Sequence, residues 1–329
     1  MKCRTSCPCE SIPPQPSAGR PPLFRCLAII CLLMLGWGCR HDPASESRQS
    51  EQVGISVLVT TGMIADIARA VVGDAGSVTV LMGPGVDPHL YQPTTRDQRR
   101  LREAQVVFYN GLHLEGKMVE VFEALAREKP VIPIASGIPP ERLLGGTESG
   151  GQHDPHVWFD VELWKLATEV VVDTLTAAVP EDAVGFRTRG DRYLEELESL
   201  DQYCRKRIAD IPAERRVLIT SHDAFQYFGR AYGFQVFGIQ GISTESEAGL
   251  RRLAECVDLI RQQGVSAIFP ESSVSPAAVQ RVAQDSGARL GPELYSDALG
   301  PAESPEGTYR GMIRHNVDLI VEALRDPPP

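Results

Sequence analysis

Between Pro180 and Pro212 runs "EDAVGFRTRGDRYLEELESLDQYCRKRIADI", which contains no helix breaker other than Gly185 and Gly190. Proline suits the first turn of a helix, so Pro180 opens it and Pro212 closes it. Tyr193, Leu197, Leu200, Cys204, Ile208 and Ile211 recur at helical spacing with charges elsewhere, which is the pattern of one buried stripe. About thirty helical residues would reach roughly 45 Å, the span of a small domain. Such a rod most economically joins two folded parts, unless a break near Gly190 divides it into two shorter helices.

Both flanks of this stretch alternate β-rich runs with amphipathic ones. Before it stand strand patterns at "ISVLVTT", "SVTVLM", "QVVFYNG" and "PVIPI". Helical patterns intervene at "MIADIARAVVG", at "TTRDQRRLREA" (capped at Thr94 or Thr95) and around 117–128, and a further helix covers about 161–178. After it come strands "RVLITS", "FQVFGIQ", "VSAIFP" and "ARLGPEL", with helices from Asp223, across 247–263, from Pro276 and across about 307–324. This alternation implies βαβ units and mainly parallel sheets. The expected fold class is therefore α/β, with two lobes, each a mainly parallel sheet flanked by helices, joined by one long rigid helix. The expected division is 53–179 and 212–329 for the lobes and 180–211 for the connection.

At 329 residues and 43% hydrophobic the chain can bury one large core or two ordinary ones. Its formal charge of -10 leaves no basic excess for neutralising phosphates, which argues against a nucleic-acid partner. The first 39 residues differ from the rest. Arg20 and Arg25 accompany an apolar run from about Leu23 to Trp37, too short and wrongly flanked for a membrane span. Gly38-Cys39 and a polar tether, 40–52, follow. This order resembles a bacterial lipoprotein signal in which Cys39 is lipidated, although Gly36 stands where leucine is usual and the segment before Leu23 is long. A conventional signal peptide cleaved nearby is the alternative. Six of eight cysteines lie at or before Cys39, so the body keeps only Cys204 and Cys256 and must stand on its cores rather than on disulfides. "CRTSCPC" lacks a second ligand pair and would leave with the signal.

Open α/β sheets place ligands beyond the carboxyl ends of their strands. Of seven histidines, His41 lies in the tether and His315 inside the last helix, while His113 and His153 stand near strands or loops without a repeated context. His89 and His156 share one: "DPHLYQP" and "DPHVWFD" each set a histidine behind Asp-Pro. Proline stiffens its own φ and restricts the residue before it. The aspartate can cap the loop or accept the imidazole's second N–H, which fixes the tautomer for metal binding. His222 follows strand "RVLITS" directly. Two histidines in the first lobe and one in the second, all at loop exits, suggest one small cation held in common.

In order along the chain, "DPHLYQPTTRD", "NGLHLEGKM", "DPHVWFD", "SHDAFQYFGRAYGF", "GISTESEA", "IFPESS", "ELYSDALG" and "GTYRGMIRHN" resemble the zinc/manganese (TroA-like) family of ABC-transporter solute-binding lipoproteins. The likeness runs from about Ile55 to Leu324. It implies two α/β lobes bridged by a long helix, with one divalent metal between them. It also implies His89, His156, His222 and Asp297 as ligands, with Glu271 of "PESS" supporting His222. Zinc is favoured and manganese allowed, since three imidazoles and one carboxylate suit a borderline cation. Family members devoted to zinc uptake often carry a histidine-rich loop before the second "DPH"; here "ERLLGGTESGGQHDPH" holds only His153 besides His156.

The resemblance further implies a monomeric, extracytoplasmic receptor anchored to a bacterial membrane at Cys39, which delivers its ion to an ABC-transporter permease and is not an enzyme. The competing reading is a secreted zinc hydrolase in which His89, His156 and His222 leave one position for water. No H-E-x-x-H occurs, and Asp297 would fill that position. An adhesin role, described for some relatives, has no encoded surface in the sequence.

Overall fold

A computed structural model describes residues 54–145 and 151–325. The signal segment, Cys39 and the tether lie outside the described residues, as do the cysteines before Cys39. All described residues belong to one compact unit, Ser50–Pro329.

The first sheet is wholly parallel, in the order β2-β1-β3-β4, from β1 (Ile55–Val59), β2 (Gly76–Val80), β3 (Val106–Tyr109) and β4 (Val131–Pro133). Helices α1 (Gly62–Val72), α2 (Thr95–Glu103) and α3 (Val119–Leu125) connect these strands. Thr94 is the cap of α2: its hydroxyl accepts from the Asp97 amide and the Asp97 carboxylate accepts from the Thr94 amide. The helix expected over 117–128 is shorter, a 3-10 turn at Gly116–Met118 leading into α3.

Beyond the middle helices the pattern repeats. Strands β5 (Val217–Thr220) and β6 (Gln235–Gly238) pair in parallel, as do β7 (Ala267–Ile268) and β8 (Arg289–Leu290). A parallel bridge between Thr220 and Phe269 joins the two pairs. The spatial order is then β6-β5-β7-β8, the same arrangement as in the first sheet. Helices α6 (Gln226–Tyr232), α7 (Leu250–Gln263), α8 (Ala277–Ser286) and α9 (Tyr309–Leu324) complete this half. The α6 helix begins at Gln226 and not at Asp223. His222 therefore lies in the turn after β5 rather than at a helix start.

Helix α4 (Val161–Ala178) precedes α5 (Ala183–Ile208), a single helix of 26 residues. At 1.5 Å per residue it is about 39 Å long. Gly190 does not divide it. A Cβ there would stand 2.5 Å from Val172 Cγ2 of α4, so Gly190 is a point of close helix approach. The α5 helix is fastened in both halves. Arg189 donates to the Val71 and Val72 carbonyls at the end of α1, and Tyr193 Oη donates to Asp66 at 2.8 Å. Further along, Tyr203 and Arg207 both donate to Asp318 of α9.

The core has one shared body and two satellites. The main cluster runs from Ile55 through Trp164, Leu197 and Phe228 to Leu324 and so includes both halves and the helices between them. A smaller cluster around Leu101 and Phe122 lies in the first half, and another around Ile219 and Ile268 in the second. Each large side chain buried in the shared cluster contributes roughly 1.5–3 kcal/mol. Separating the halves would expose many of these at once, which makes wide hinge opening costly. Cys204 and Cys256 are both buried and free.

Candidate metal centre

Four side chains from four loops converge at the carboxyl ends of the strands. His89 follows β2, His222 follows β5 and Asp297 follows β8, while His156 begins the 3-10 turn Val157–Phe159 ahead of α4. Their ligand atoms all lie within 4.8 Å of one another, and all four residues are buried. The Nε2 atoms of His89 and His156 are 3.3 Å apart, and so are those of His156 and His222. The carboxylate of Asp297 places Oδ1 3.5 Å from His156 Nε2 and Oδ2 3.3 Å from His222 Nε2.

The imidazoles are aimed by carboxylates. Asp154 Oδ1 accepts from the His156 backbone N–H at 2.9 Å and faces His156 Nδ1 at 2.7 Å. Glu271 does the same for His222, with 2.8 Å to its backbone N–H and 2.5 Å to Nδ1. A carboxylate on Nδ1 fixes the proton there and turns the Nε2 lone pair inward. The two Asp-Pro-His copies diverge at this point. Asp87 Oδ1 accepts the His89 backbone N–H at 2.8 Å, but its other oxygen takes the Thr244 hydroxyl at 2.5 Å. Both aspartates cap their loops, and only Asp154 orients a ring.

The loops are locked to each other across the two halves. Trp158 Nε1 donates to the Ser296 carbonyl at 3.0 Å, tying the His156 loop to the Asp297 loop. Tyr309 Oη donates to the Trp158 carbonyl, and the Phe159 ring stacks on Phe225 with centroids 4.1 Å apart. Ser273 Oγ lies 3.4 Å from Asp297 Oδ2.

The cluster is electrostatically strained without a cation. Asp297 Oδ1 is buried and has no hydrogen-bond partner. Burial drives the His89 imidazole down to about 3, although Asp297 pulls the other way. For His222 burial also opposes the charge, yet Glu271 and Asp297 outweigh it and hold the imidazole well above its usual 6.5. Burial would raise the Asp297 carboxyl, but His222, His156 and His89 together keep it far below 3.8. The set is thus three converging ring nitrogens and one ionised carboxylate sealed from water. With bonds of 2.0–2.1 Å, the ligand atoms of a tetrahedral site stand about 3.3–3.4 Å apart, close to the 3.3–3.5 Å separations of His156 from His89, His222 and Asp297 and of His222 from Asp297. Asp297 takes the fourth corner, where a hydrolytic site keeps an open position for water.

Of the remaining histidines, His113 and His153 are exposed and stand outside the cluster. His315 pairs with Glu306 at 3.4 Å and packs on Tyr295. His41 lies outside the described residues. The Asp154 ring contact was legible in the double Asp-Pro-His; the Thr244 and Trp158 ties had no signal in the sequence, because each joins residues more than 130 positions apart.

An α/β protein with two parallel sheets and a buried imidazole and carboxylate cluster suited to a metal ion is the class these features define. The sequence profile described as "Zinc-uptake complex component A periplasmic" matches residues 57–323. The chain is 44% identical over 293 residues to the manganese-binding lipoprotein MntA of Bacillus subtilis (strain 168), covering 88% of this chain and 94% of that one. It is 43% identical over 300 residues to the zinc-binding protein TroA of Treponema pallidum (strain Nichols), covering 89% and 97%. The solved structure of the periplasmic zinc-binding protein TroA from Treponema pallidum superposes with a TM-score of 0.81, covering 83% of this chain and 100% of that one at 43% identity. The protein belongs to the family of periplasmic zinc-uptake component A. That family supplies the binding component of an uptake complex, not an enzyme.

Proposed function

We propose that the protein is the extracytoplasmic receptor of an ABC importer, which captures one divalent transition-metal ion with His89 Nε2, His156 Nε2, His222 Nε2 and the Asp297 carboxylate. The observation that carries this reading is the buried convergence of these four groups, their ligand atoms all within 4.8 Å of one another, with Asp297 Oδ1 lacking any hydrogen-bond partner. Asp154 and Glu271 serve as orienting carboxylates for His156 and His222. The permease is the partner that receives the ion, and lipidation at Cys39 would keep the receptor at the membrane. No helix among the described residues is long and apolar enough to cross a membrane.

Zinc is the favoured cargo on geometry, because nitrogen-rich four-coordination at these spacings suits it. Both Asp297 oxygens face imidazole nitrogens, so bidentate binding could add a fifth bond and accommodate manganese. By the general affinity order zinc binds at least as tightly, and supply rather than affinity would then choose the ion. The names of relatives point both ways, to manganese for MntA and to zinc for TroA.

Calorimetric titration with zinc and with manganese tests the proposal on wild type and Asp297→Ala. One tight site per chain, strongly weakened in Asp297→Ala, is expected. Equal binding by both proteins, or none by wild type, would refute the four-ligand site.

A further inference from the structure

A buried acid stands just beyond the carboxyl end of β3, outside the cluster. Glu115 is 2% exposed and has no ion-pair partner among the described residues. Its Oε1 accepts from the Thr60 hydroxyl at 2.7 Å and from the Asn110 backbone N–H at 2.8 Å, and its Oε2 accepts from the Gly111 N–H at 3.3 Å. Burying an acid without a counter-charge is costly, so such a group calls for a reason. The backbone is strained to put it there. Leu112 and His113 hold φ of 54° and 64°, which residues with side chains rarely adopt, and the turn they make returns Glu115 to the Asn110 and Gly111 amides.

What this carboxylate fixes is Asn110, itself only 1% exposed. Asn110 Nδ2 donates to the Pro155 carbonyl at 2.9 Å and to the Gly111 carbonyl at 3.1 Å. Turning the side-chain amide over would set Oδ1 against both carbonyls, so its direction is settled. Oδ1 is buried and accepts no hydrogen bond. The amide thus serves Pro155 at the expense of its own acceptor. Pro155 immediately precedes His156. The carbonyl one residue earlier, that of Asp154, accepts the Tyr227 hydroxyl of α6 at 3.0 Å. Each half of the molecule therefore contributes one side chain that pins the backbone ahead of His156. His156 Nε2 stands 3.3 Å from those of His89 and His222 and 3.5 Å from Asp297 Oδ1, so a shift of its loop alters three separations at once.

We propose that Asn110 is a positioning residue for His156, kept in register by Glu115, and that this chain of hydrogen bonds sets how tightly the cluster grips its ion. This rests on the reading of His89, His156, His222 and Asp297 as the ion site. Asp154 fixes the direction of the His156 ring from within its own loop. Asn110 fixes the place of that loop from the end of β3, 45 positions away. Ligand geometry is held by such supporting contacts as much as by the ligands themselves.

Zinc competition titration and the visible spectrum of the cobalt(II)-loaded protein test this on the intact chain, with Asn110→Ala, Glu115→Gln and Gly190→Ala. In Asn110→Ala the Pro155 carbonyl keeps the Val157 N–H at 2.8 Å, so the tie is lost without leaving that acceptor unpaired. Zinc affinity should fall about 10–100-fold, the range for residues that orient metal ligands. The cobalt bands should shift or weaken as one nitrogen moves within the coordination set, since the spectrum follows geometry. Glu115→Gln offers one accepting oxygen where the carboxylate uses two. It should move both readouts the same way by less, and it carries the test if Asn110→Ala does not fold. Gly190→Ala crowds Val172 in the α4–α5 contact and should leave both readouts as in wild type. Affinity within threefold of wild type, or an unaltered cobalt spectrum, would overturn the proposal. So would changes that Gly190→Ala reproduces, because they would then follow stability and not the His156 loop. A wild-type protein that takes up no ion would instead refute the ion site itself, an outcome distinct from these.

Discussion

Replacing Glu271 by glutamine tests whether ring orientation, and not only the presence of His222, makes the site. The Glu271 carboxylate accepts two donors from one residue, the His222 backbone N–H at 2.8 Å and Nδ1–H at 2.5 Å. A glutamine amide has one accepting oxygen. If that oxygen serves the backbone, its NH₂ faces Nδ1, the ring proton is driven to Nε2, and the inward lone pair is lost. If the oxygen serves Nδ1, the NH₂ confronts the backbone N–H, and a buried donor goes unpaired at roughly 1–3 kcal/mol. Either arrangement penalises the metal-bound form. Orienting partners of this kind are worth about 10–100-fold in metal affinity, or about 1.4–2.7 kcal/mol. Competition titration against a chromophoric chelator should find Glu271→Gln weaker by that margin, with one ion still bound per chain. Affinity within threefold of wild type would show that the carboxylate does not set the His222 tautomer.

Proton linkage follows from the same residues. The metal-free His222 imidazole, raised well above 6.5 by Glu271 and Asp297 against the opposing effect of burial, must give up its Nε2 proton to an ion. Binding near pH 6.5 should release about one proton, read from calorimetry in buffers of differing ionisation enthalpy, and identical heats in all buffers would refute this. For the metal-free fold the signs are opposite at the two groups. The raised His222 contributes stability that is complete below 6.5 and lost as pH rises through its folded value, and the lowered Asp297 contributes stability present above 3.8 and lost as pH falls. The lowered His89 contributes stability present above 6.5 and lost as pH falls toward about 3. Thermal melting of the metal-free protein should therefore peak near pH 6.5, and a melting temperature that climbs steadily to pH 8 would contradict the His222 assignment. Thr244→Ala removes the hydroxyl that ties the second half to Asp87 beside His89, a hydrogen bond to a charged group. Ion release into excess chelator should quicken about tenfold, and no change would mean the tie is absent in solution. Gly190→Ala should destabilise by about 1–3 kcal/mol through overpacking against Val172, whereas the Cβ of Gly185→Ala would meet only the Arg189 guanidinium, held on the Val71 and Val72 carbonyls, so that variant should gain at most about 0.5–1 kcal/mol of helix propensity. Melting temperatures that move together would refute the packing argument.

Much of this protein is a local matter and is legible in its sequence. The alternation of β runs with amphipathic helices, the capped start of α2 at Thr94 and the stripe along α5 each follow from neighbours in the chain, so their elements were readable one by one. The same holds for His89 and His156, because Asp-Pro-His is a contiguous device and its aspartate reaches only two residues. Element ends were less legible: α6 starts at Gln226 rather than Asp223, since the His222 turn is held by the distant Glu271 and not by helix chemistry.

What only the tertiary structure decided are the interactions closed over long loops. Gly190 reads as a breaker in isolation and becomes a contact point only because Val172 of α4 lies against it. Asp297 is an unremarkable turn aspartate until three imidazoles from other loops surround it. Asp87 and Asp154 occupy the same motif, yet one meets Thr244 and the other keeps its oxygen for a ring. The sequence carries the residue types and their local spacing; which charges share a buried space, and therefore which of them can hold an ion, depends on packing between segments that the chain itself keeps far apart.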